Sequence, residues 1–426
     1  MHNKRTDVFW YTRKDPSQAT VLSESAEADV VIVGGGMTGL SAAHALCKQG
    51  LKPIIIEREF CGAGASGKTS GFITPDSEIE LSSLLATYGP EKAKRIWEFV
   101  LSGVSTIRSN IERFTIDCDY QIQDSLFIAN NDAGAKHVAE EHTARQTLGY
   151  QSKQYDSAQI RETIGSSFYT GGVRYPETFG INSYLYCQAL RDALAQDGVR
   201  IYEQTPVTRI HVSGVDTPRG SVRASHIIVC TDRFIPELGV MKKEIYHVQT
   251  FLGISKPLND AHIRAIFIQD PLMVWDTDLV YNYFRATGEN RILLGGGDML
   301  YTYARSLSNN TARFKRRLTN YFRKKFPHIP LELEYVWPGM LGVSKDLLPV
   351  MGIDPHTDNV WYAGAATGLP WAAALGAYAA DRITRGRNEF DADFSWKRKF
   401  IIGPRLQTLL TTPPTYALSH GIAKYF

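Results

Sequence analysis

Asp29-Val-Val-Ile-Val-Gly-Gly-Gly-Met-Thr-Gly-Leu-Ser-Ala-Ala-His-Ala-Leu46, followed by Pro53-Ile-Ile-Ile-Glu57, encodes a strand, a glycine turn, a helix and a second strand ending in an acid. Val30 to Val33 is the continuous apolar run expected of a parallel strand buried on both faces. Gly34, Gly36 and Gly39 supply the GxGxxG spacing. Gly34 permits the tight turn out of the strand, Gly36 admits a pyrophosphate where a Cβ would block it, and Gly39 lets the helix lie close to the sheet. The helix N-terminus then favours an anion. Glu57, about 20 residues on, stands where a carboxylate accepts from ribose hydroxyls and repels a 2′-phosphate, which argues against NADP. The stretch therefore predicts a dinucleotide site.

Around this unit the 426 residues hold enough chain for two interleaved or consecutive domains. A balance of 47 basic and 44 acidic residues, net +3, gives no ground for a nucleic-acid partner. Five scattered cysteines (Cys47, Cys61, Cys118, Cys187, Cys230) form no CxxC pair, so they read as reduced thiols in a cytoplasmic setting with no dithiol centre and no metal site. The N-terminus carries no apolar signal-like run. Asn359 to Ala380 lacks charge, but Gly364, Gly368 and Pro370 divide it into a strand at Val360 to Ala363, a loop, and a helix from about Pro370 rather than a membrane span.

Residues 79–113 read as helical, with Ile96, Phe99, Val100 and Val104 on one face. Helices are also expected near 133–148, 184–196 and 310–325. Strands are expected at Val199 to Tyr202, Val207 to Val212, Val222 to Ala224, His226 to Cys230, Leu279 to Phe284 and Arg291 to Gly295. These blocks predict an α/β protein: a discontinuous Rossmann-like dinucleotide-binding domain (28–112, 180–235 and 336–394) with an inserted antiparallel-sheet substrate domain (113–179 and 236–335) and a C-terminal tail (395–426). The tail carries Lys397, Arg398, Lys399, Arg405 and Lys424 with no acid, so peripheral contact with an anionic membrane is the alternative to a segment packed on its own domain with its charges in solvent.

FAD rather than NAD is indicated by the long glycine- and serine-rich loop after Glu57, which can line a cofactor that continues past the pyrophosphate. The other glycine cluster, Gly295-Gly-Gly297, lacks a third spaced glycine, so no separate NAD(P)H site is visible and electrons are expected from the substrate.

With Phe9-Trp-Tyr11, Gly64-Ala-Ser-Gly-Lys-Thr-Ser-Gly71, Gly180-Ile-Asn-Ser183, Tyr202-Glu-Gln-Thr-Pro-Val207, Tyr283-Phe-Arg285, Trp337-Pro-Gly339, Asp346-Leu-Leu-Pro349 and Trp361-Tyr-Ala-Gly364, the chain resembles the D-amino-acid oxidase family of FAD-dependent oxidoreductases, in its γ-glutamylputrescine oxidoreductase-like branch. The resemblance implies FAD contacts from Met37 and Thr38 at the turn, Glu57 and Arg58 at the ribose, and Ala65, Ser66, Ser70, Gly71 and Phe72 along the second loop. It places Val207 at adenine and Thr231 near the ADP half. Thr367, Gly368, Leu369 and Pro370 would meet the flavin's pyrimidine end, with Pro370 suited to a first helical position.

Four departures matter. Leu369 stands where relatives often carry a histidine, and Leu341 where amino-acid-oxidising relatives place a carboxylate-binding arginine. Lys68 stands in the second loop where no histidine is found, and no cysteine follows Cys230, so the flavin is expected to be held noncovalently.

The resemblance implies oxidation of a C–N bond of a small amine or amino-acid derivative by hydride transfer to flavin N5, with O2 as acceptor. The alternatives are a hydroxy-acid oxidase or dehydrogenase of the same fold and a non-catalytic flavin-binding assembly factor. Two catalytic candidates are Arg285, which would hold an anionic substrate group or form a structural ion pair, and Lys345, which would assist oxygen reduction or stand solvated. His44 and His247 read as a helix-face and a strand histidine, and Cys61 as a small loop filler.

Overall fold

The computed structural model describes residues 7–308 and 310–425. Strand β1 (Ala26–Val33) ends in the four buried residues Val30 to Val33, and helix α1 (Met37–Lys48) returns to strand β2 (Pro53–Ile56), also buried throughout. Backbone pairing explains the burial: β1 lies parallel between β2 and the strand Gly220–Val229, so both of its edges are used. Arg200–Tyr202 adds beyond β2, and Val360–Gly364 pairs parallel with Gly220–Val229. An antiparallel hairpin, Arg209–His211 with Gly214–Thr217, and the strand Val350–Ile353 complete eight strands.

The two strands expected at 222–224 and 226–230 are one continuous strand. Its first half pairs with the hairpin and β1, and its second half with β1 and Val360–Gly364. Continuous pairing overrides the polar Ser225 that broke the apolar pattern.

Helix Leu369–Arg385 packs against α1 and against the long helix Pro90–Arg113, where Ile96, Phe99, Val100 and Val104 are buried. The contact with α1 is close: a Cβ at Gly376 would sit 2.2 Å from the Thr38 carbonyl oxygen. The two helices whose N-termini border the ligand cavity are thereby held as one body.

A second eight-stranded sheet runs in the order Leu333–Val343, Tyr246–Ser255, Ile292–Gly296, Tyr283–Ala286, Met273–Asp276, Ser125–Ala129, Gly171–Tyr175 and Lys153–Asp156. It is antiparallel except where Met273–Asp276 lies parallel to Ser125–Ala129. The strand expected from Leu279 begins only at Tyr283, because 279–282 makes the turn that lets Asn282 bond Asp276. The boundary placed at 336 falls inside Leu333–Val343, which pairs with Tyr246–Ser255 from end to end. Trp337 on that strand joins Leu252, Leu293 and Phe9 to Tyr11 in a buried cluster that packs the N-terminal aromatic residues on the second sheet.

The tail packs on the body of the protein, and Lys397, Lys399 and Arg405 are exposed as expected, but its other two cations are not. Arg398 is paired with Asp346 and Lys424 with Glu80, and both cations are largely buried. The helix Thr412–Tyr425 straps the two parts together: the Ser83 hydroxyl donates to the Lys424 carbonyl, and the Tyr425 hydroxyl donates to the Thr277 carbonyl. Among the described residues no helix is long and apolar enough to cross a membrane.

Candidate functional site

The C-terminal ends of the parallel strands converge on the glycine turn. The Gly34 N–H donates to the Ile56 carbonyl at 2.9 Å, and the Cys230 N–H to the Val33 carbonyl at 2.8 Å. Gly34 has φ +109°, and a Cβ at Gly39 would lie 2.0 Å from the Gly34 carbonyl oxygen, so both positions exclude a side chain. A Cβ at Gly36 meets only the Ser66 hydroxyl, at 3.1 Å, and Gly36 lines the cavity; this is a cradle that a side chain would fill.

That cavity, about 890 Å³, runs from the glycine turn to the second sheet. Gly34, Gly36, Met37, Thr38, Glu57, Arg58, Ala65, Ser66, Ser70, Phe72, Val207, Thr231, Gly368 and Leu369 all line it. Gly39, Gly71, Thr367 and Pro370 do not. Gly39 and Gly71 act from behind as close-packing points, a Cβ at Gly71 falling 1.8 Å from the Ile181 carbonyl oxygen. Pro370 is the second residue of its helix rather than the first, since Gly368 caps it and Leu369 leads. The Pro370 carbonyl faces Gly103 of the neighbouring helix.

Glu57 is held before any ligand arrives. Its Oε2 accepts from the Gly35 N–H at 2.7 Å and its Oε1 from the Glu59 N–H at 2.9 Å. Burial raises its pKa, and those two backbone donors pull it back down. The carboxylate oxygens keep further lone pairs for ribose hydroxyls. Arg58 and Arg233 lie over the Phe234 ring at 4.0 and 3.8 Å, forming with Val207 the wall of the cavity's outer end. Two buried hydroxyls at the cavity margins, Thr231 Oγ1 and Thr367 Oγ1, have no hydrogen-bond partner among the described residues. Orphaned hydroxyls at the cavity, an open glycine cradle and a helix start whose N-cap is glycine, with only the Met37 N–H met by the Ser66 hydroxyl at 2.9 Å, fit a long phosphate-bearing ligand.

The second loop is fixed from outside. Its Ala63, Lys68, Thr69 and Ser70 carbonyls accept from Tyr11 Oη, Trp337 Nε1, Trp10 Nε1 and Arg285 Nε. This explains the N-terminal aromatic triplet, and it corrects the substrate role for Arg285. That guanidinium is fully buried, lies outside the cavity and donates to the Ser70, Ile181 and Ala286 carbonyls at 3.0, 2.7 and 3.1 Å. Among the described residues it forms no ion pair either; Asp119 acts on it only at a distance, and burial lowers its pKa to about 10. A sequence shows that an arginine is on a strand, but its side chain's direction depends on which strand lies opposite.

Lys345 is corrected as well. It is neither solvated nor at the cavity: only 2% exposed, its Nζ donates to the Ile402 carbonyl at 3.2 Å and Gln407 Oε1 at 3.0 Å. It holds the start of the tail, a role invisible without the tail's packing. His44 and His247 stay outside the cavity, and Cys61 is a buried thiol whose pKa burial pushes well up.

Asp76, Glu78, Arg233 and Trp275 are among the cavity residues that escaped the sequence reading. Asp76 and Glu78 come from Thr74-Pro-Asp-Ser-Glu-Ile-Glu80, directly after the second loop. Three acids in so short a loop were the available signal. Arg233 and Trp275 gave none, since each is an ordinary residue of its element.

The family described as FAD dependent oxidoreductase (DAO) matches residues 29–382. The chain is 28% identical to gamma-glutamylputrescine oxidoreductase of Escherichia coli over 384 residues, covering 87% of each chain. It is 27% identical to the probable oxidoreductase OrdL of Haemophilus influenzae over 363 residues, covering 82% of this chain and 81% of that one. Among solved structures, glycine oxidase from Geobacillus kaustophilus superposes with a TM-score of 0.74 at 22% identity, over 88% of this chain and 99% of that one.

Proposed function

The chain belongs to the FAD dependent oxidoreductase (DAO) family, and we propose that within it the protein oxidises a C–N bond of a small amine or amino-acid derivative. Its cofactor is FAD; when bound, noncovalently in this reading, it supplies the hydride acceptor at N5, with O2 as the final electron acceptor.

One observation carries the reading. The cavity is continuous from the dinucleotide turn at Gly36 and Glu57 to side chains of the second sheet, Trp275, Tyr283 and Leu341. A substrate lodged against that sheet is therefore brought to the far end of the cofactor site. The chain's own contribution is orientation and water exclusion by Phe72, Trp275 and Tyr283, whose rings adjoin one another. Among the described residues no histidine lines the cavity, so proton loss from the amine is set by its own acidity and by the wall around it. The missing arginine at Leu341 disfavours α-hydroxy acids and simple α-amino acids alike. Five free cysteines support a reducing, cytoplasmic location.

Anaerobic mixing of the holoprotein with a panel of amines, N-methyl amino acids and hydroxy acids tests this. Flavin bleaching by amines is expected; bleaching by hydroxy acids alone, or by nothing in the panel while FAD stays bound, would overturn it. The second outcome is that of an assembly factor.

A further inference from the structure

We propose that Glu78, with the aromatic wall formed by Tyr281, Tyr283, Phe72 and Trp275, is a cation-recognition subsite, so that the substrate enters as an organic ammonium without an α-carboxylate. For its chemistry the inference rests on the amine-oxidation reading; for binding it stands alone.

Glu78 lies in the irregular segment between Phe72–Ile73 and Leu81–Tyr88, and it lines the cavity. The Tyr281 hydroxyl is 2.7 Å from the Ser77 carbonyl oxygen and 3.0 Å from Glu78 Oε1, so a single proton serves two acceptors. Glu78 Oε2 accepts no hydrogen bond from the described residues, and it is not sealed inside the protein. One carboxylate oxygen is therefore left for a ligand.

The neighbouring acids are already answered. Arg145 pairs with Asp76 at 3.1 Å, and Lys424 pairs with Glu80 at 3.5 Å. Lys424 also acts on Glu78 from the tail side, without lining the cavity. Among the described residues Glu78 is the carboxylate of this group that forms no salt bridge, Lys424 acting on it only at a distance. A desolvated carboxylate in that position gains most from a partner of opposite charge.

The surrounding wall fits the same ligand. Tyr281 and Tyr283 have ring centroids 5.6 Å apart, and Tyr283 and Phe72 also 5.6 Å, giving a contiguous run of π-faces next to the carboxylate. Such faces attract an alkylammonium and offer nothing to a carboxylate.

Charge is segregated along the cavity. The cations that line it, Arg58, Lys68 and Arg233, belong to the dinucleotide end, where they act on one another and on Glu59. From Phe72 through Leu341, on the segments that form the substrate end, no arginine, lysine or histidine lines it apart from Arg233 of the dinucleotide end. An α-carboxylate would meet Asp76 and Glu78 there with no counter-charge. An ammonium would meet its complement.

The test uses purified holoprotein and reads flavin absorbance. Tetramethylammonium chloride, which cannot be oxidised as an amine, is titrated against a sodium chloride control into wild type, Glu78→Gln and Glu78→Asp. A saturable spectral shift is expected in wild type, at least tenfold weaker in Glu78→Gln and partly restored in Glu78→Asp, at equal flavin content. In parallel, n-butylamine is expected to reduce the flavin at far lower concentration than norvaline, the same skeleton with an α-carboxylate. Equal tetramethylammonium affinity in wild type and Glu78→Gln, or a preference for norvaline, would overturn the subsite. If the cation binds in a Glu78-dependent way and no amine reduces the flavin, the subsite stands and the amine-oxidation reading fails. Should Glu78→Gln lose its flavin, the wild-type pH series decides: affinity that weakens below pH 7 supports the subsite, and pH-independent binding overturns it.

Discussion

Arg285 Nε donates to the Ser70 carbonyl oxygen at 3.0 Å, tying a strand of the second sheet to the loop that follows the dinucleotide turn. With Trp10, Tyr11 and Trp337 donating to neighbouring carbonyls, the loop owes its shape to side chains from three distant parts of the chain. Replacing Arg285 by methionine leaves the Ser70, Ile181 and Ala286 carbonyls without that donor. A destabilisation of about 3 kcal/mol or more is expected, since each lost bond to a charged donor costs about 1.5–3 kcal/mol. Melting temperature and flavin retention on dilution measure it. The surviving holoprotein should bind n-butylamine as wild type does; a selective loss of substrate affinity would return Arg285 to the substrate site.

Gly36→Val should abolish FAD binding and leave a folded chain. The added side chain fills the cradle beside Ser66 without meeting backbone. An absorbance ratio at 450 and 280 nm near that of the apoprotein, with unchanged circular dichroism, is the expected result; normal flavin content would exclude a pyrophosphate at this turn.

Glu78 is pushed up to about 7, by burial first, with Glu80 adding to the rise and Lys424 and the Tyr281 hydroxyl opposing it. Asp76, close by and also raised to about 7, shares that environment with Arg145. Cation binding needs the ionised carboxylate. Affinity for tetramethylammonium should therefore fall about tenfold per pH unit below 7 and level off above it, a dependence lost in Glu78→Gln. Turnover should rise further at alkaline pH, because an amine loses its proton before hydride leaves carbon.

His420 is held neutral within the tail strap. Its Nε2 faces the Ser344 carbonyl at 3.0 Å, so that nitrogen carries the proton, and its Nδ1 accepts from the Tyr303 hydroxyl at 2.9 Å. Burial lowers its pKa to about 4. The unfolded chain takes up a proton near pH 6.5 and the folded chain does not, so the stabilisation is complete above about 6.5 and is lost as pH falls toward 4. The loss amounts to about 3 kcal/mol. Proteolysis within Thr412–Tyr425 should accelerate across that window; a pH-independent rate would show that His420 does not hold the strap.

Leu341→Arg adds a guanidinium to the substrate end of the cavity. The ratio of norvaline to n-butylamine affinity should rise by about tenfold or more, because the α-carboxylate gains a counter-charge and the ammonium meets repulsion. An unchanged ratio would show that Leu341 does not face bound substrate.

The glycine turn was legible because its chemistry is local: strand, turn and helix lie within one short run, Gly34 takes a positive φ, and Gly39 packs on the Gly34 carbonyl five residues away. The helical stretches read over 79–113 and 310–325 were legible for the same reason, their apolar spacing being a property of one segment, although Gly89 at φ +75° splits the first into Leu81–Tyr88 and Pro90–Arg113. The charged residues were not. Arg285, Lys345 and Lys424 have long side chains whose ends are satisfied by Ser70, Ile402 and Glu80, partners that the sequence places far away. The sequence by itself determined the dinucleotide-binding unit, through backbone geometry that only glycine and a buried apolar strand satisfy, and its second glycine- and serine-rich loop pointed on to FAD. Tertiary structure alone decided which charges face the cavity, because a buried ion goes wherever a counter-charge or carbonyl oxygen repays its desolvation. That assignment turned Arg285 and Lys345 into braces and left Glu78 open.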